Sequence, residues 1–276
     1  MVSPMADPAL IRSLTPLAHR LADAAREASL PHFRMASGAA DNKAAIGYDP
    51  VTEADRAAER AIREILDRER PDDAIEGEEY GSKPGTTGLT WHLDPVDGTR
   101  AFVAGLTSWC VLIGLAAKDK DGSDTAVLGV IDQPYIDERY VGGAGESHFI
   151  SRGKTARIHT RDCPKLTDAV LATTDYFILT MPERGAFEHI RQTARLTRYG
   201  LDAYGYARLA AGTIDMVAET GLKSHDVCAL IPVIEGAGGV VTDWRGNKPK
   251  LGGQIVAAAN RKILDEAIVS LRRSAE

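Results

Sequence analysis

The run of nine apolar or small residues at positions 109–117, WCVLIGLAA, constrains the fold of this chain more than any other feature. A continuous apolar run of this length is typical of a fully buried strand. Shortly before it stands LDPVDGTR, at positions 93–100, in which Asp94 and Asp97 lie three residues apart. Two neighbouring carboxylates repel each other unless a cation lies between them. The sequence therefore predicts a sheet with a charged, cation-binding turn close to its most buried strand.

The pattern of apolar residues predicts helices first and strands afterwards. Residues 8–30 and 52–70 carry apolar side chains at helical spacing, and Pro16 bends the first helix or marks its start. Short β-rich segments between residues 89 and 145 predict a largely antiparallel sheet. Beyond residue 165 we predict strands at 168–173, 214–218, 239–243 and 254–258, and helices at 186–196, 203–212, 226–236 and 261–273. The fold class is α+β, with helices covering sheets.

The length of 276 residues allows one large domain or two closely joined halves. No internal repeat or low-complexity tract divides the sequence. We expect the halves to meet between residues 150 and 165. We therefore divide the chain into an N-terminal α+β half, residues 1–155, which contains most of the acidic motifs, and a C-terminal α/β half, residues 156–276, which determines specificity.

Composition and charge exclude several classes of function. The net charge is −6 and no basic patch stands out, which argues against nucleic acid and anionic membranes as partners. No apolar run approaches the roughly 20 residues that span a bilayer. The three cysteines are widely spaced and the N-terminus lacks a signal-peptide pattern, so we expect a reduced, cytoplasmic protein. If the substrate is an anion, bound cations must offset the negative charge locally.

Four short stretches place acids where an acid is not the obvious structural choice. They are VTEADR with Asp55, IEGEEYG with Glu78, LDPVDGT with Asp94 and Asp97, and KSHDVCA with Asp226. Each has a structural explanation when it is taken alone: a capping box, an acidic loop, turn aspartates and an acid at a helix start. We expect Pro95 to end the strand that leads to Asp94. Together, without clustered His or Cys, the acids fit a hard cation such as Mg²⁺.

The motifs WHLDPVDGT, GEE at residues 77–79 and SHDVCALIPVIEGAGG occur in this order along the chain. In this combination the sequence resembles the inositol monophosphatase superfamily of Mg²⁺-dependent phosphomonoesterases over roughly residues 10–260. It departs from the common second signature at His225, Cys228 and Leu230. With RAFVAGLTSWCVLIGL and YGLDAYGYARLAAG it is most similar to the histidinol-phosphate phosphatase branch. The resemblance implies a layered αβαβα sandwich of the sugar-phosphatase type and a small phosphate monoester as substrate.

The resemblance also implies a role for each acidic position. Two or three Mg²⁺ ions per site would be held by Glu78, Asp94, the Val96 carbonyl, Asp97 and Asp226. The catalytic residues would be Thr99, paired with Asp55 to orient the nucleophilic water, and Glu78. Substrate binding would involve Asp97, Gly98, Thr99, Asp202, Glu219 and Asp226. The backbone N–H groups of Gly98 and Thr99 would meet phosphate oxygens.

Three functional hypotheses remain open. The first is histidinol-phosphate hydrolysis, in which Asp202 and Glu219 face the cationic leaving group. The second keeps the chemistry with inositol monophosphate or a range of sugar phosphates. The structural alternative for Asp202 is a cap of the helix predicted at 203–212. The third is a non-catalytic regulator with a relic site. We further expect a homodimer, as in many relatives, and a loop at residues 36–51 that closes over the substrate.

Overall fold

The computed structural model describes residues 7–35, 41–42 and 50–276. The helices of this part of the chain are α1 (Pro8–Ser29), α2 (Glu53–Glu69), α3 (Thr99–Val103), α4 (Met181–Thr193), α5 (Ala203–Ala210), α6 (Ser224–Cys228), α7 (Leu230–Gly236) and α8 (Arg261–Leu271). The strands are β1 (Asp41–Asn42), β2 (Pro50–Val51), β3 (Ala74–Gly77), β4 (Gly81–Lys83), β5 (Leu89–Asp97), β6 (Cys110–Lys118), β7 (Asp124–Gln133), β8 (Glu138–Gly143), β9 (Glu146–Ser151), β10 (Lys154–Arg157), β11 (Val170–Thr173), β12 (Leu196–Tyr199), β13 (Met216–Leu222), β14 (Val240–Thr242) and β15 (Gly253–Ala258).

Two sheets form the framework. The large sheet has the strand order β10-β9-β8-β7-β6-β5-β3-β4 and is antiparallel except where β3 pairs with β5. The small sheet has the order β12-β11-β13-β15-β14 and is mixed, because β11 runs parallel to both β12 and β13. The two-residue strands β1 and β2 pair separately. The predicted antiparallel sheet is therefore confirmed, with one parallel pair.

The layers follow from where the apolar faces pack. Helices α1 and α2 cover one face of the large sheet through a cluster that includes Ile11, Leu21, Ile62, Leu66, Trp91 and Ile113. Helices α5, α6 and α7 lie between the two sheets, in a cluster that includes Leu112, Ile131, Tyr206, Val217, Val233 and Ile255. Helices α4 and α8 cover the outer face of the small sheet with Phe187, Ile190, Ile263 and Leu264. The predicted α+β class and αβαβα sandwich are confirmed.

Strand β6 accounts for the continuous apolar run. Its alternate side chains face opposite ways: Val111, Ile113 and Leu115 pack beneath α1 and α2, and Cys110 and Leu112 pack beneath the middle helices. Because both faces of the strand are covered, neither set of positions can be polar without a buried partner. The strand lies inside the sheet between β5 and β7, as the sequence predicted.

A row of glycines lets the middle helices approach the large sheet closely. Gly114, Gly129 and Gly142 are direct cross-strand partners on β6, β7 and β8. A Cβ atom added to Gly129 would lie 2.0 Å from the Ala229 carbonyl oxygen, and one added to Gly142 would lie 2.3 Å from the Val233 Cα. The backbone of α6 and α7 therefore rests on the sheet itself rather than on side chains.

Several boundaries differ from the sequence-based predictions. The helix predicted at 186–196 begins earlier, at Met181, because Thr180 and Glu183 form a capping box there, and β12 occupies its predicted end. The helix predicted at 226–236 is two helices that meet at Ala229. Strand β5 does not end at Asp94 but continues to Asp97. The first helix begins at Pro8, so Pro16 lies inside it.

The observed helices and strands do not test some of the sequence-based expectations. The division at residue 155 stays a prediction, although β10 of the large sheet ends at Arg157 and the small sheet begins at Val170. The lid expected at residues 36–51 lies outside the described residues, apart from the backbone of β1 and β2. Among the helices that the structure describes, none is long and apolar enough to cross a membrane.

We expect Gly129→Ala to lower the free energy of unfolding by about 1–3 kcal/mol, because the new methyl group overlaps the Ala229 carbonyl. Gly185→Ala is the matched control, since it lies in α4 and its Cβ would meet no atom within 4 Å. A helical glycine replaced by alanine gains up to about 1 kcal/mol. Urea unfolding measures both, and equal effects at the two positions would contradict the close packing of the middle helices.

Candidate active site

A pocket of about 270 Å³ opens where the end of β5 meets the first residues of α5 and α6. Among its lining residues are almost all the positions singled out from the sequence: Glu78, Asp94, Val96, Asp97, Gly98, Thr99, Asp202, Glu219 and Asp226. These positions come from both halves of the chain. Asp55 is the one predicted site residue that does not line this pocket.

The end of β5 has the local geometry that brings Asp94 and Asp97 into the pocket. Asp94 is the partner of Leu112 and Asp97 is the partner of Cys110, so β5 contains one extra residue between them. Such a bulge turns side chains that would otherwise face opposite sides of the sheet. Pro95 is tolerated there because a bulge leaves a backbone position unpaired. Gly98 follows with a φ of 82°, which favours glycine, and α3 begins at the next residue.

Three carboxylates converge in the pocket. Asp94, Asp97 and Asp226 each offer an oxygen atom, and these atoms lie within 4.8 Å of one another. The pKa of Asp94 is raised well above its usual range, by burial and then by the charges of Glu78 and Asp97. The pKa of Asp97 is raised in the same way, by burial and then by Asp202 and Asp226. This repulsion is what a divalent cation would relieve, and an all-oxygen donor set fits Mg²⁺.

Asp226 enters the cluster from the middle helix layer. Its Oδ2 accepts a hydrogen bond from the Lys223 backbone N–H at 2.7 Å, which fixes the carboxylate at the start of α6. The His225 Nε2 lies 3.6 Å from its Oδ1. The capping role considered from the sequence is therefore present, and the same side chain still has an oxygen in the acidic cluster.

Asp55 and Thr99 are not hydrogen-bonded to each other in the structure. Asp55 is buried and its Oδ2 accepts from the Thr52 backbone and hydroxyl, which is the capping box considered from the sequence. Its Oδ1 has no hydrogen-bond partner within the described part of the chain. Burial raises the Asp55 pKa to about 6. The Thr99 hydroxyl donates to the Val96 carbonyl at 3.1 Å, so the Thr99–Asp55 pairing stays a prediction.

Two further carboxylates lie on the C-terminal side of the pocket. Asp202 precedes α5 but its side chain makes no capping hydrogen bond, so the cap explanation does not account for it. It has a φ of 49°, uncommon for a residue other than glycine, and burial followed by the charge of Glu219 raises its pKa to about 7. Glu219 accepts from the Tyr206 hydroxyl at 2.9 Å and the Thr174 N–H at 2.7 Å.

The pocket also contains residues to which the sequence analysis gave no role. Tyr206 holds Glu219, and Arg100 and Lys223 are cationic groups in the lining. The Arg100 guanidinium lies 3.5 Å from the Asp175 carboxylate. Tyr206 lies within the segment YGLDAYGYARLAAG, which the sequence analysis had singled out together with Asp202. The spacing of this segment alone could not indicate that Tyr206 binds Glu219.

Comparison with known proteins identifies the class to which this fold and pocket belong. The model of the inositol monophosphatase family matches residues 11–276, so the chain belongs to that family. It is therefore a phosphoric monoester hydrolase, in a family whose members depend on metal ions. The resemblance deduced from the motifs is confirmed.

Individual relatives differ in the activity that their names record. The chain is 40% identical over 230 residues to the bifunctional phosphatase IMPL2, chloroplastic, of Arabidopsis thaliana, a match that covers 83% of this chain and 63% of that protein. It is 33% identical over 258 residues to the histidinol-phosphatase of Streptomyces coelicolor, covering 91% and 94%. A solved structure of an inositol monophosphatase from Zymomonas mobilis superposes with a TM-score of 0.81 at 40% identity, covering 95% and 98%.

In the metal-free protein, we expect the stability advantage of Asp202→Asn over the original chain to grow as the pH rises. Folding raises the Asp202 pKa to about 7, whereas an unfolded aspartate ionises near 4. A carboxyl with a raised pKa contributes stability below pH ~4, and this contribution is lost as the pH rises through about 7. Asparagine cannot ionise, so Asp202→Asn keeps this contribution. The stability difference between the variant and the original chain should therefore widen by about 2 kcal/mol between pH 5 and 8.

Urea unfolding in EDTA at several pH values measures this difference. Asp121→Asn is the control without a pH dependence in this range. The Ser123 hydroxyl and N–H lower the pKa of the exposed Asp121 carboxyl, so this group is ionised in both the folded and the unfolded chain from about pH 5 upwards, and the stability difference of the variant should stay constant. An Asp202→Asn difference that does not change with pH would contradict burial of an ionisable carboxyl at this position.

Proposed function

We propose that the protein is a Mg²⁺-dependent phosphomonoesterase that hydrolyses L-histidinol phosphate to L-histidinol and phosphate. The observation that supports this substrate is the pair Asp202 and Glu219, a half-buried and a buried carboxylate that line the same pocket as the acidic cluster. A leaving group with an amine and an imidazole is complementary to such acids. The histidinol-phosphatase relatives support this choice.

The alternative is an inositol monophosphatase or a broad-specificity sugar phosphatase. It is favoured by the similarity to the Zymomonas mobilis inositol monophosphatase, which is 40% identical. Carboxylates also accept hydrogen bonds from the hydroxyl groups of a polyol, so Glu219 suits both kinds of leaving group. Asp202 is the residue on which the choice between the two substrates depends most.

The residues present fit the metal. Glu78, Asp94 and the Val96 carbonyl would hold one ion, Asp94, Asp97 and Asp226 a second, and Glu78 would help to hold a third, weaker one. When bound, Mg²⁺ supplies neutralising charge for the phosphate ester and lowers the pKa of a coordinated water. The orphaned Asp55 Oδ1 and the mutual repulsion of the cluster are the observations that support a polar, cation-binding centre here.

The chain's own groups orient the reactants. We assign Gly98 and Thr99 to the phosphate, which their backbone N–H groups can bind because the Gly98 position has no side chain. Thr99 orients the attacking water, and Asp55 receives the proton that the Thr99 hydroxyl passes on. Asp55 is close enough to raise the Asp94 pKa, and with its own pKa near 6 it is mostly ionised at neutral pH. The relay requires the Thr99 hydroxyl to change its acceptor from Val96 to Asp55.

Phosphate release measures the reaction directly. With Mg²⁺ we expect kcat/KM for L-histidinol phosphate to exceed that for inositol 1-phosphate by roughly a hundredfold, the scale that a few polar contacts supply. EDTA should abolish both activities. Such a preference would place the protein in histidine biosynthesis, whereas equal rates or a preference for inositol 1-phosphate would overturn the substrate assignment and leave the phosphatase assignment in place.

Asp94→Asn should lower kcat/KM by at least about a thousandfold, because several kcal/mol of charge stabilisation depend on the cluster. Asp121→Asn is the matched control, since Asp121 is exposed and lies outside the pocket. Circular dichroism and urea unfolding confirm that the variants are folded. Loss of activity in a folded Asp94→Asn protein would reject the third hypothesis, a non-catalytic regulator with a relic site, whereas full activity would contradict a catalytic role of the acidic cluster.

Asp202→Asn and Glu219→Gln should lower kcat/KM for L-histidinol phosphate by about 10–100-fold, since each removes a charge that faces the cationic leaving group. The loss with inositol 1-phosphate should be smaller for Asp202→Asn, because a neutral polyol has no charge to lose. Asp121→Asn again serves as the control. An equal loss for both substrates would mean that Asp202 maintains the pocket and does not select the substrate.

We also propose that the protein is a cytoplasmic homodimer. Phe177 and Met181 expose 76% and 75% of their surfaces on neighbouring positions, and exposed apolar patches of this kind are common at subunit contacts. The three cysteines are buried and unpaired, which suits a reducing compartment. Sedimentation velocity should give the mass of two chains, and a single chain at micromolar concentration would exclude the dimer.

A further inference from the structure

A second cleft, of about 800 Å³, lies at the edge of the large sheet that carries β3 and β4. We call it the lysine cleft, since Lys83, Lys248 and Lys250 line it together with Ser82, His92 and Ser224. Within the described part of the chain, no residue lines both this cleft and the candidate active site. Its volume is in the range of pockets that bind small molecules. The proposed phosphatase reaction uses none of its side chains.

His92 is the feature of the lysine cleft that most needs an explanation. It is only 5% exposed, and neither ring nitrogen has a hydrogen-bond partner among the described residues. An imidazole has at least one N–H donor in every protonation state, and buried polar groups of native proteins are almost always paired. Rotation about the last side-chain bond, which is loosely restricted in histidine, changes which ring edge faces the cleft.

The neighbours of His92 in the sheet explain why it has no partner. His92 lies beside Glu76 on β3 and Gly114 on β6. Gly114 has no side chain, and the Glu76 carboxylate accepts a hydrogen bond from the Ser82 hydroxyl at 2.6 Å. His92 is thus the next residue in line with the glycine row under α6 and α7, and it lies where the cleft opens. A partner for the ring must come from outside the sheet.

The charges of the lysine cleft favour an anion. Lys83 is paired with Asp67 at 2.6 Å, and Lys248 lies 3.5 Å from Asp119. Of the two acids of the cleft, Asp124 is paired with Lys118 at 3.0 Å, and Glu76 accepts a hydrogen bond from the Ser82 hydroxyl and keeps its charge.

Lys250 is the exposed cation of the cleft for which the described residues supply no ion pair. The lining contains three lysines and two acids, so its own side chains sum to one positive charge in a chain whose net charge is −6.

We propose that the lysine cleft is a second binding site, for a small metabolite that carries a carboxylate or phosphate group. Lys250 meets the charge, and His92 and Ser224 form hydrogen bonds with the polar remainder of the molecule. The site adjoins the acidic cluster along two elements: β5 carries His92 here and Asp94 in the pocket, and α6 carries Ser224 here and Asp226 in the pocket. The proposal does not rest on the proposed function, because it concerns binding and not hydrolysis.

Imidazole-selective ¹⁵N NMR of the Mg²⁺-loaded protein tests the site directly. Succinate and malate serve as carboxylate probes, and methylphosphonate and phenylphosphonate as phosphate mimics that cannot be hydrolysed. The His92 signals are assigned by their absence from His92→Gln, and His225 reports on the candidate active site. We expect at least one probe to shift the His92 signals with saturation below 10 mM, and the responding arm identifies the anion as a carboxylate or a phosphate.

Calorimetry with Lys250→Ala and Lys262→Ala provides the matched comparison, since both lysines are exposed and Lys262 lies outside the lysine cleft. Lys250→Ala should weaken binding of the responding probe at least tenfold, and Lys262→Ala should leave it unchanged. Three outcomes overturn the proposal: no response of His92 to any probe, a response confined to His225, or equal affinity in the two lysine variants. The first would assign ordered water as the partner of the ring.

Discussion

The close contact between the middle helices and the glycine row of the large sheet is the constraint on which the site depends. Gly114, Gly129 and Gly142 have no side chains to separate the sheet from α6 and α7. A Cβ on Gly114 would lie 2.7 Å from the Cys228 Cβ. Because Asp226 precedes Cys228 by only two positions, the depth of this contact fixes how near the Asp226 carboxylate comes to Asp94 and Asp97.

The acidic cluster lowers the stability of the folded chain when no cation is bound. Asp94 and Asp97 are brought together by the bulge in β5, and burial together with the charges of neighbouring carboxylates raises both pKa values well above their usual range. Buried like charges destabilise a folded chain unless a counter-charge is present. A cation that binds only the folded state returns that stability by mass action. Under the proposed metal assignment, metal affinity and folding are coupled through the same carboxylates, so the protein should be less stable when the metal is removed.

The sequence was most informative where function and local geometry coincide. WHLDPVDGT identified the acids, the proline and the glycine of the β5 turn, and the alternation of helices and strands identified the layers. It was least informative where the deciding contact is distant in sequence. The break between α6 and α7 at Ala229 falls where the chain rests on Gly129, and no local signal marks it. The lysine cleft joins β3, β5 and the segment near Lys250, which only the folded sheet brings together.

The hydrogen bonds of the pocket distinguish the residues proposed for the chemistry from the residues proposed for substrate selection. In the proposed function, the acidic cluster would serve any phosphate monoester that can enter the pocket. Glu219 is anchored by Tyr206 and Thr174, and its position is therefore fixed before a substrate binds. Asp202 has a strained backbone, and no cap hydrogen bond explains its side chain. A residue held in an uncommon conformation, whose side chain makes no capping hydrogen bond, is a candidate for direct contact with the substrate. We therefore infer that selection among phosphate esters depends on one anchored and one strained carboxylate, so that a change at either would alter the substrate and leave the proposed metal site the same.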